Sequence, residues 1–342
     1  MPPRALIAAL CFAAGALARP VTISNVVPRR DTDGAILDAH DSKVVFKDGL
    51  FHWFAASYGN CSEPRGSSGC ATTRVGACGF QTDHNVTLYT SADLVTWSNA
   101  GIVFGAVGNL PPNSVLFAPK TVLRGDGTWV MWFNYIVGDF SKSYYGVATS
   151  TNAAGPFTLV NPNVALRFED NGDENLFVDD DGAAYIIYTT LSHGHTMSVE
   201  RLTRNYTSSL GEAASSGIFG DGGVEAPALF KRGDTYIALF GSCCCYCGGG
   251  SPVSAYTAPA PLGPWTKQAG GALPSLASQA TDVFAYTDSS GAQQFLYIGD
   301  HWQSAPDGLK SHDFTVWAPL TFSPTGAVGS AGFEANFTID LA

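Results

Sequence analysis

Three carboxylates each stand at, or a few residues ahead of, the start of an apolar run. Asp41 lies in Leu37-Asp-Ala-His-Asp-Ser-Lys-Val-Val45, Asp173 in Asn171-Gly-Asp-Glu-Asn-Leu-Phe177 and Glu225 in Gly223-Val-Glu-Ala-Pro-Ala-Leu229. One acid in such a place is ordinarily a solvated turn residue. Three in equivalent places, on elements that share an axis, are set to work on one bond. Inverting hydrolysis of a glycosidic bond makes that demand. A protonated carboxyl reaches the leaving oxygen while a second group, about 6.5–9.5 Å away, activates water on the opposite face of the sugar. A third carboxylate beside the acid raises its pKa by like-charge repulsion and keeps it protonated.

Other chemistries find less support. Asp179-Asp-Asp-Gly182 is acidic, but Asp and Gly are what a tight hairpin turn favours, so no calcium site is predicted there. No G-x-S-x-G marks a nucleophile elbow, and the seven histidines include no H-E-x-x-H pair. His52 and His84 read as structural. Gly248-Gly-Gly250 has no helix behind it to make a phosphate cradle. Neither a metal nor an organic cofactor is expected.

The elements that must position the acids form a repeat. Lys43–Phe54, Lys120–Phe133, Leu176–Tyr188, Ala228–Phe240 and Val283–Ile298 share one pattern: an apolar strand, a Gly/Asp turn, then an aromatic-rich strand. Their turn glycines are Gly49, Gly127, Gly182, Gly233 and Gly291, and the long first step holds a Cys-rich insertion from Asn60 to about Gln81. Tyr89–Trp97, Ala148–Phe157, Ala255–Trp265 and Ser311–Trp317 read as outer strands ending in an aromatic plug. Units of roughly fifty residues and four strands, repeated five times, predict an all-β, five-bladed β-propeller occupying residues 19–342 as one domain. An irregular β-sandwich is the alternative. In a propeller the innermost strands point into the axial channel, and the three acids project from the same end.

Composition agrees. Among 342 residues, 29 acidic against 18 basic give a net charge of -11, which argues against nucleic acid or an anionic membrane as partner. Aromatics at 12% and charged residues at 14% suit a large core and neutral, polyhydroxylated ligands. At the N-terminus, Arg4, the apolar run Ala5 to Ala14 and Ala16-Leu17-Ala18 read as a signal peptide over residues 1–18, too short to span a bilayer. A signal-anchor is the alternative. Sequons at Asn60, Asn85, Asn205 and Asn336 agree with a secreted protein. Once Cys11 leaves with the leader, seven cysteines remain, predicting three disulfides and one odd thiol. The loop carrying Cys61, Cys70 and Cys78 is expected to be stapled to the Cys243–Cys247 cluster; zinc-like ligand spacing is lacking. A monomer acting on a polysaccharide or oligosaccharide is expected.

In these motifs the chain resembles glycoside hydrolase family 43, from about Asp38 to Asp300. The resemblance implies a five-bladed propeller and an inverting mechanism with a base Asp, a pKa-modulating Asp and a general-acid Glu. Asp173-Glu-Asn-Leu-Phe-Val-Asp-Asp-Asp-Gly182 looks like the modulator strand, which implies that role for Asp173. Val224-Glu-Ala-Pro-Ala-Leu-Phe-Lys231 looks like the general-acid motif, which implies Glu225 as acid. His40-Asp-Ser-Lys-Val-Val45 resembles the Asp-Pro start of the first blade, with Ser42 where Pro is common, and points to Asp41 as base. Phe177-Val-Asp-Asp-Asp-Gly-Ala-Ala-Tyr185, Glu225-Ala-Pro-Ala-Leu-Phe-Lys-Arg232, Ser278-Gln279 and Gly299-Asp-His-Trp302 look like the exo-β-1,3-galactanase branch. That branch uses a Gln in place of the base Asp, which makes Gln279 the alternative base. An ionised Asp is the better proton acceptor, so Asp41 is preferred.

Phe117-Ala-Pro-Lys120 departs from the family's common Trp-Ala-Pro-Asp, and Lys120 is expected to alter substrate contacts. His40, Asn134, Tyr135 and Trp302 are the further expected sugar contacts. The resulting expectation is a secreted glycosidase acting on galactan, arabinan or xylan. A propeller that binds glycans without cleaving them is the alternative, and the presence of Asp173 together with Glu225 argues for the enzyme.

Overall fold

The structure, a computed structural model, describes residues 19–62, 78–138, 142–169, 171–244, 246–270 and 273–342. The predicted leader, most of the Cys-rich insertion with Cys70, and Cys245 lie outside these residues. Strand β1 (Arg19–Ser24) comes first. Blade 1 follows as β2 (His40–Lys47), β3 (Leu50–Ser57), β4 (Asn85–Ser91) and β5 (Ser98–Gly105). Blade 2 is β6 (Ser114–Leu123), β7 (Trp129–Val137), β8 (Ser143–Ser150) and β9 (Thr158–Asn161). Blade 3 is β10 (Asn171–Val178), β11 (Ala184–Thr190) and β12 (Thr196–Arg201). Blade 4 is β13 (Val224–Arg232), β14 (Thr235–Ser242), β15 (Val253–Ala258) and β16 (Thr266–Lys267). Blade 5 is β17 (Gln279–Thr287), β18 (Gln293–His301), β19 (Phe314–Phe322) and β20 (Val328–Ser330). The last strand, β21 (Asn336–Leu341), pairs antiparallel with β1.

The expected five-bladed propeller is what the chain forms. Its five hairpins are the two inner strands of each blade, closed by the glycines read from the sequence; Gly127 sits at φ +88°, where a side chain would be strained. Strands sandwiched between neighbouring blades bury both faces, so they read as continuous apolar runs rather than alternating ones. In β7, Trp129 to Ile136 are all buried. Five apolar clusters fill the five seams. One joins Leu116 and Phe133 of blade 2 to Phe54 and Leu88 of blade 1. The blade 1–blade 5 seam holds Trp53, Trp97, Phe284 and Trp317, and is covered by Val21, Ile23, Phe337 and Ile339 of the β1–β21 pair.

Blade 3 departs from expectation, with three strands instead of four. After β12 the chain turns through Thr203–Tyr206 and returns by isolated bridges, Glu200 with Ser215 and Met197 with Phe219. That return segment, Thr207 to Gly223, is rich in Ser and Gly, which have little tendency to hold a continuous ladder. No described helix is long and apolar enough to cross a membrane.

Candidate active site

All five innermost strands are irregular at the same level. Their pairing shifts between His40 and Lys43, Phe117 and Lys120, Asn171 and Glu174, Glu225 and Ala228, and Ala280 and Asp282. A bulge bends its strand and re-aims the side chains beside it. Asp41, Ala118 and Ala226 take left-handed φ values of 50°, 46° and 56° inside these bulges. Asp accepts that conformation more readily than most residues. As a result the innermost strand of every blade brings one side chain to a single pocket of about 270 Å³: Asp41, Phe117, Asp173, Glu225 and Gln279.

Glu225 is held through one oxygen. Its Oε1 accepts the Cys244 backbone N–H at 2.7 Å and the Gln279 Nε2–H at 3.1 Å. The Gln279 amide is oriented in turn by Trp302, whose Nε1–H donates to Gln279 Oε1 at 2.8 Å. Asp41 Oδ2 accepts from the Tyr58 hydroxyl at 2.6 Å, and its N–H donates to Asp300 Oδ2 at 2.8 Å. Burial, and then the Asp300 carboxylate, push the Asp41 carboxyl up; Tyr58 and Lys120 pull it back. Burial, Glu225 and Asp41 hold the Asp173 carboxyl well above the usual carboxylate range. Asp173 is therefore close enough to Glu225 to feel its charge.

Four of the five expected sugar contacts stand off the pocket wall. Lys120 is buried, and its Nζ donates to the carbonyls of Asp41, Ser42 and Thr281 at 2.8, 2.9 and 2.8 Å. Its three donors are spent on blades 1 and 5. His40, fully buried, lies between Asp38 and Asp300 and packs on Trp302 with ring centroids 5.1 Å apart. Burial opposes its protonation, but Asp300 and Asp38 raise its pKa overall. Tyr135 faces the blade interior, where its hydroxyl donates to Pro162 O and its ring stacks on Tyr144. Trp302, 1% exposed, acts on Gln279 from behind. Asn134 does line the pocket, with Nδ2 donating to Ser143 Oγ at 2.7 Å.

Beneath the pocket the channel is closed by polar groups. Lys43 Nζ donates to Asp282 Oδ1 and Asn175 Oδ1, both at 2.9 Å, and Asn175 Nδ2 donates to Thr281 O at 3.0 Å. Glu174, 1% exposed, has no hydrogen-bond partner on either carboxylate oxygen. Burial raises its pKa far above normal even though Lys120 opposes this. A neutral carboxyl is the form that such a place tolerates.

The remaining wall comes from residues that periodicity does not mark: Phe80, Ile136, Ser143, Leu191, His195, Cys243 and Tyr246. Several ride on the two cysteine loops. Disulfides join Cys61 to Cys78 and Cys244 to Cys247, each within its own loop, and Cys243 is a free thiol. Among the described residues, no disulfide joins the two loops. Cys70 and Cys245, one from each loop, lie outside the described residues; the described parts of the loops meet where the Tyr246 hydroxyl donates to Gly79 O at 2.8 Å and Phe80 packs on Tyr246. The Cys244–Cys247 loop thus supplies both an aromatic wall and the N–H that holds Glu225.

Known proteins share this frame. An exo-β-1,3-galactanase from Clostridium thermocellum superposes with a TM-score of 0.76 at 22% identity, covering 93% of this chain and 67% of that one. A family 43 β-1,3-galactosidase bound to galactodeoxynojirimycin gives 0.74 at 21% identity, over 92% and 99% of the two chains. An exo-β-1,3-galactanase from Phanerochaete chrysosporium with galactose gives 0.70 at 24%, over 91% and 66%. No curated protein matches the sequence significantly. The sequence model of glycosyl hydrolases family 43 matches residues 71–284, more than half of the chain. With a five-bladed propeller and an acid-lined axial pocket in place, the chain belongs to glycosyl hydrolase family 43, a family of inverting glycosidases.

Proposed function

We propose that this glycosidase removes terminal galactose from β-1,3-linked galactan, with Glu225 as general acid, Asp173 as its pKa partner and Asp41 as the base that activates water. The observation that carries the mechanism is the convergence of Asp41, Asp173, Glu225 and Gln279 in one pocket, each from a different blade. The Gln279 amide oxygen already accepts the Trp302 N–H, and its NH₂ faces Glu225, so it positions the acid and is a poor proton acceptor. Asp41 retains a second carboxylate oxygen beside the one that Tyr58 holds. The pocket's 270 Å³ falls just below the usual range of about 300–1,000 Å³ for small-molecule sites and suits one sugar ring, hence attack at a chain end. The galactanases that share the fold favour galactose over arabinose or xylose. Secretion is supported by the leader-like residues 1–18 and by exposed sequon asparagines at Asn60, Asn205 and Asn336.

The test is hydrolysis of β-1,3-galactan and of aryl galactosides, arabinofuranosides and xylosides, with the product anomer followed by NMR. Galactose released first with inverted configuration is expected. Glu225→Gln should lose about 10²–10⁴ in kcat. Asp41→Asn should fall as far, with substrate binding retained. Full activity in Asp41→Asn alongside an inactive Gln279→Ala would assign the base to Gln279 instead.

A further inference from the structure

His195 and Cys243 have no part in the hydrolysis outlined above, yet both line the pocket with Glu225. One ligand atom from each of His195, Glu225 and Cys243 lies within 4.8 Å of the other two. The frame behind them is tight. The Val224 N–H donates to His195 O at 2.9 Å, and the Cys243 N–H donates to Gly223 O at 2.8 Å. Val224 is also paired with Ser242 across the β13–β14 ladder. All three residues are therefore pinned to the first rungs of one hairpin. His195 holds a left-handed φ of 52°, and its Nδ1 is buried without a hydrogen-bond partner. Cys243 is a free thiol, unlike its neighbour Cys244, which is bonded to Cys247.

An imidazole nitrogen, a thiolate and a carboxylate, with the fourth position open to a pocket, are the donor set of a tetrahedral zinc-type site. The thiolate selects zinc or cadmium over magnesium or calcium, which prefer oxygen. Ligands at about 2.0–2.3 Å from a shared ion stand roughly 3.5 Å apart, so the three side chains must close by about 1 Å. His195 and Cys243 are each only partly buried and have room to turn. Sequence spacing gave no sign of this site, because His195 sits in blade 3 while Glu225 and Cys243 belong to blade 4.

We propose that His195, Glu225 and Cys243 form a binding site for a thiophilic divalent cation of the zinc class, and that its occupancy switches hydrolysis off. On binding, the Cys243 thiol gives its proton to solvent and the sulfur joins the ion. Glu225 is bound as the carboxylate and can no longer deliver a proton. No redox step is involved. The inhibitory half rests on Glu225 being the general acid; the binding half does not.

The experiment therefore reads the two separately. Chelator-treated full-length protein is titrated with cadmium chloride while the near-ultraviolet thiolate-to-cadmium charge-transfer absorption is followed. Wild type should saturate at one equivalent, Cys243→Ser should show no band, and His195→Asn should bind at least tenfold more weakly. Zinc chloride should inhibit hydrolysis competitively with substrate, and Cys243→Ser should need at least tenfold more zinc for half-inhibition of its own metal-free rate. Magnesium chloride should do nothing in either assay. Absence of a band in wild type, or a band that persists in Cys243→Ser, overturns the site. A Cys243-dependent band with hydrolysis untouched by zinc overturns the inhibition and, with it, Glu225 as acid.

Discussion

Replacing Lys120 by Met separates two readings of that residue by free energy. The variant keeps most of the side-chain volume, so the cavity cost is small. It leaves the carbonyls of Asp41, Ser42 and Thr281 without the donor that now serves all three at 2.8–2.9 Å. It also removes a cation that faces Asp41, Glu174 and Asp282. Charge-assisted hydrogen bonds are worth about 1.5–3 kcal/mol each, partly offset by the cost of holding an ammonium out of water. Breaking a buried ionic network from one side costs about 3–5 kcal/mol. At about 2 °C per kcal/mol for a chain of this size, Tm should fall by about 6–10 °C. The catalytic signature is separate. Lys120 lowers the pKa of both Asp41 and Asp173, so its loss raises them. The base must be ionised, and the acid limb of the kcat/KM profile should therefore move to higher pH. Thermal melts and a pH–rate profile measure both. A Tm within 2 °C of wild type, together with a tenfold rise in KM and an unmoved acid limb, would refute the reasoning and return Lys120 to the substrate.

Other outcomes follow from single contacts. Trp302→Phe removes the N–H that holds Gln279 Oε1, freeing the amide to turn away from Glu225; kcat should fall about tenfold with KM little changed, measured by steady-state kinetics. Glu174→Gln should become progressively more stable than wild type as pH rises. The Glu174 carboxyl is raised in the folded state, so above its unfolded pKa folding holds a proton that unfolding releases, and wild type loses up to about 1.4 kcal/mol per pH unit until the folded pKa is passed. Urea melts between pH 5 and 8 read this directly; a constant difference between the two proteins would mean that Glu174 is ionised throughout. Gly250→Ala places a Cβ against the Ser278 backbone nitrogen at a φ of +66°. It should displace the segment leading to Gln279 and cost at least about 2 kcal/mol, seen as loss of both Tm and kcat.

Much of this was legible in the sequence, for a physical reason. A propeller hairpin needs an apolar strand, a turn that admits a left-handed residue and a second apolar strand, and five such patterns announce themselves at Gly49, Gly127, Gly182, Gly233 and Gly291. Asp41, Asp173 and Glu225 were legible as candidates because an ionisable group opening a buried strand is conspicuous. The expected sugar contacts fared differently because neighbours on a strand face opposite ways. Asn134 and Tyr135 are adjacent, so only one of them can reach the pocket, and it is Asn134. His40 precedes Asp41 and turns inward for the same reason. Lys120 lies past a bulge that sequence alone does not reveal, which carries it below the pocket floor. Phe80, His195 and Tyr246 reach the wall from irregular segments, where no period marks them.

The five matching bulges have a consequence for how this enzyme can change. Each innermost strand offers one seat at the pocket, and the side chain in that seat has neighbours along the strand that pack elsewhere. Four seats hold polar groups and the fifth holds Phe117. Reactivity is thus written in five separable letters, while the seams that keep the ring closed are written in others. A substitution at one seat can alter what the pocket accepts and leave the architecture behind it untouched, so new specificities lie within single steps of the present one.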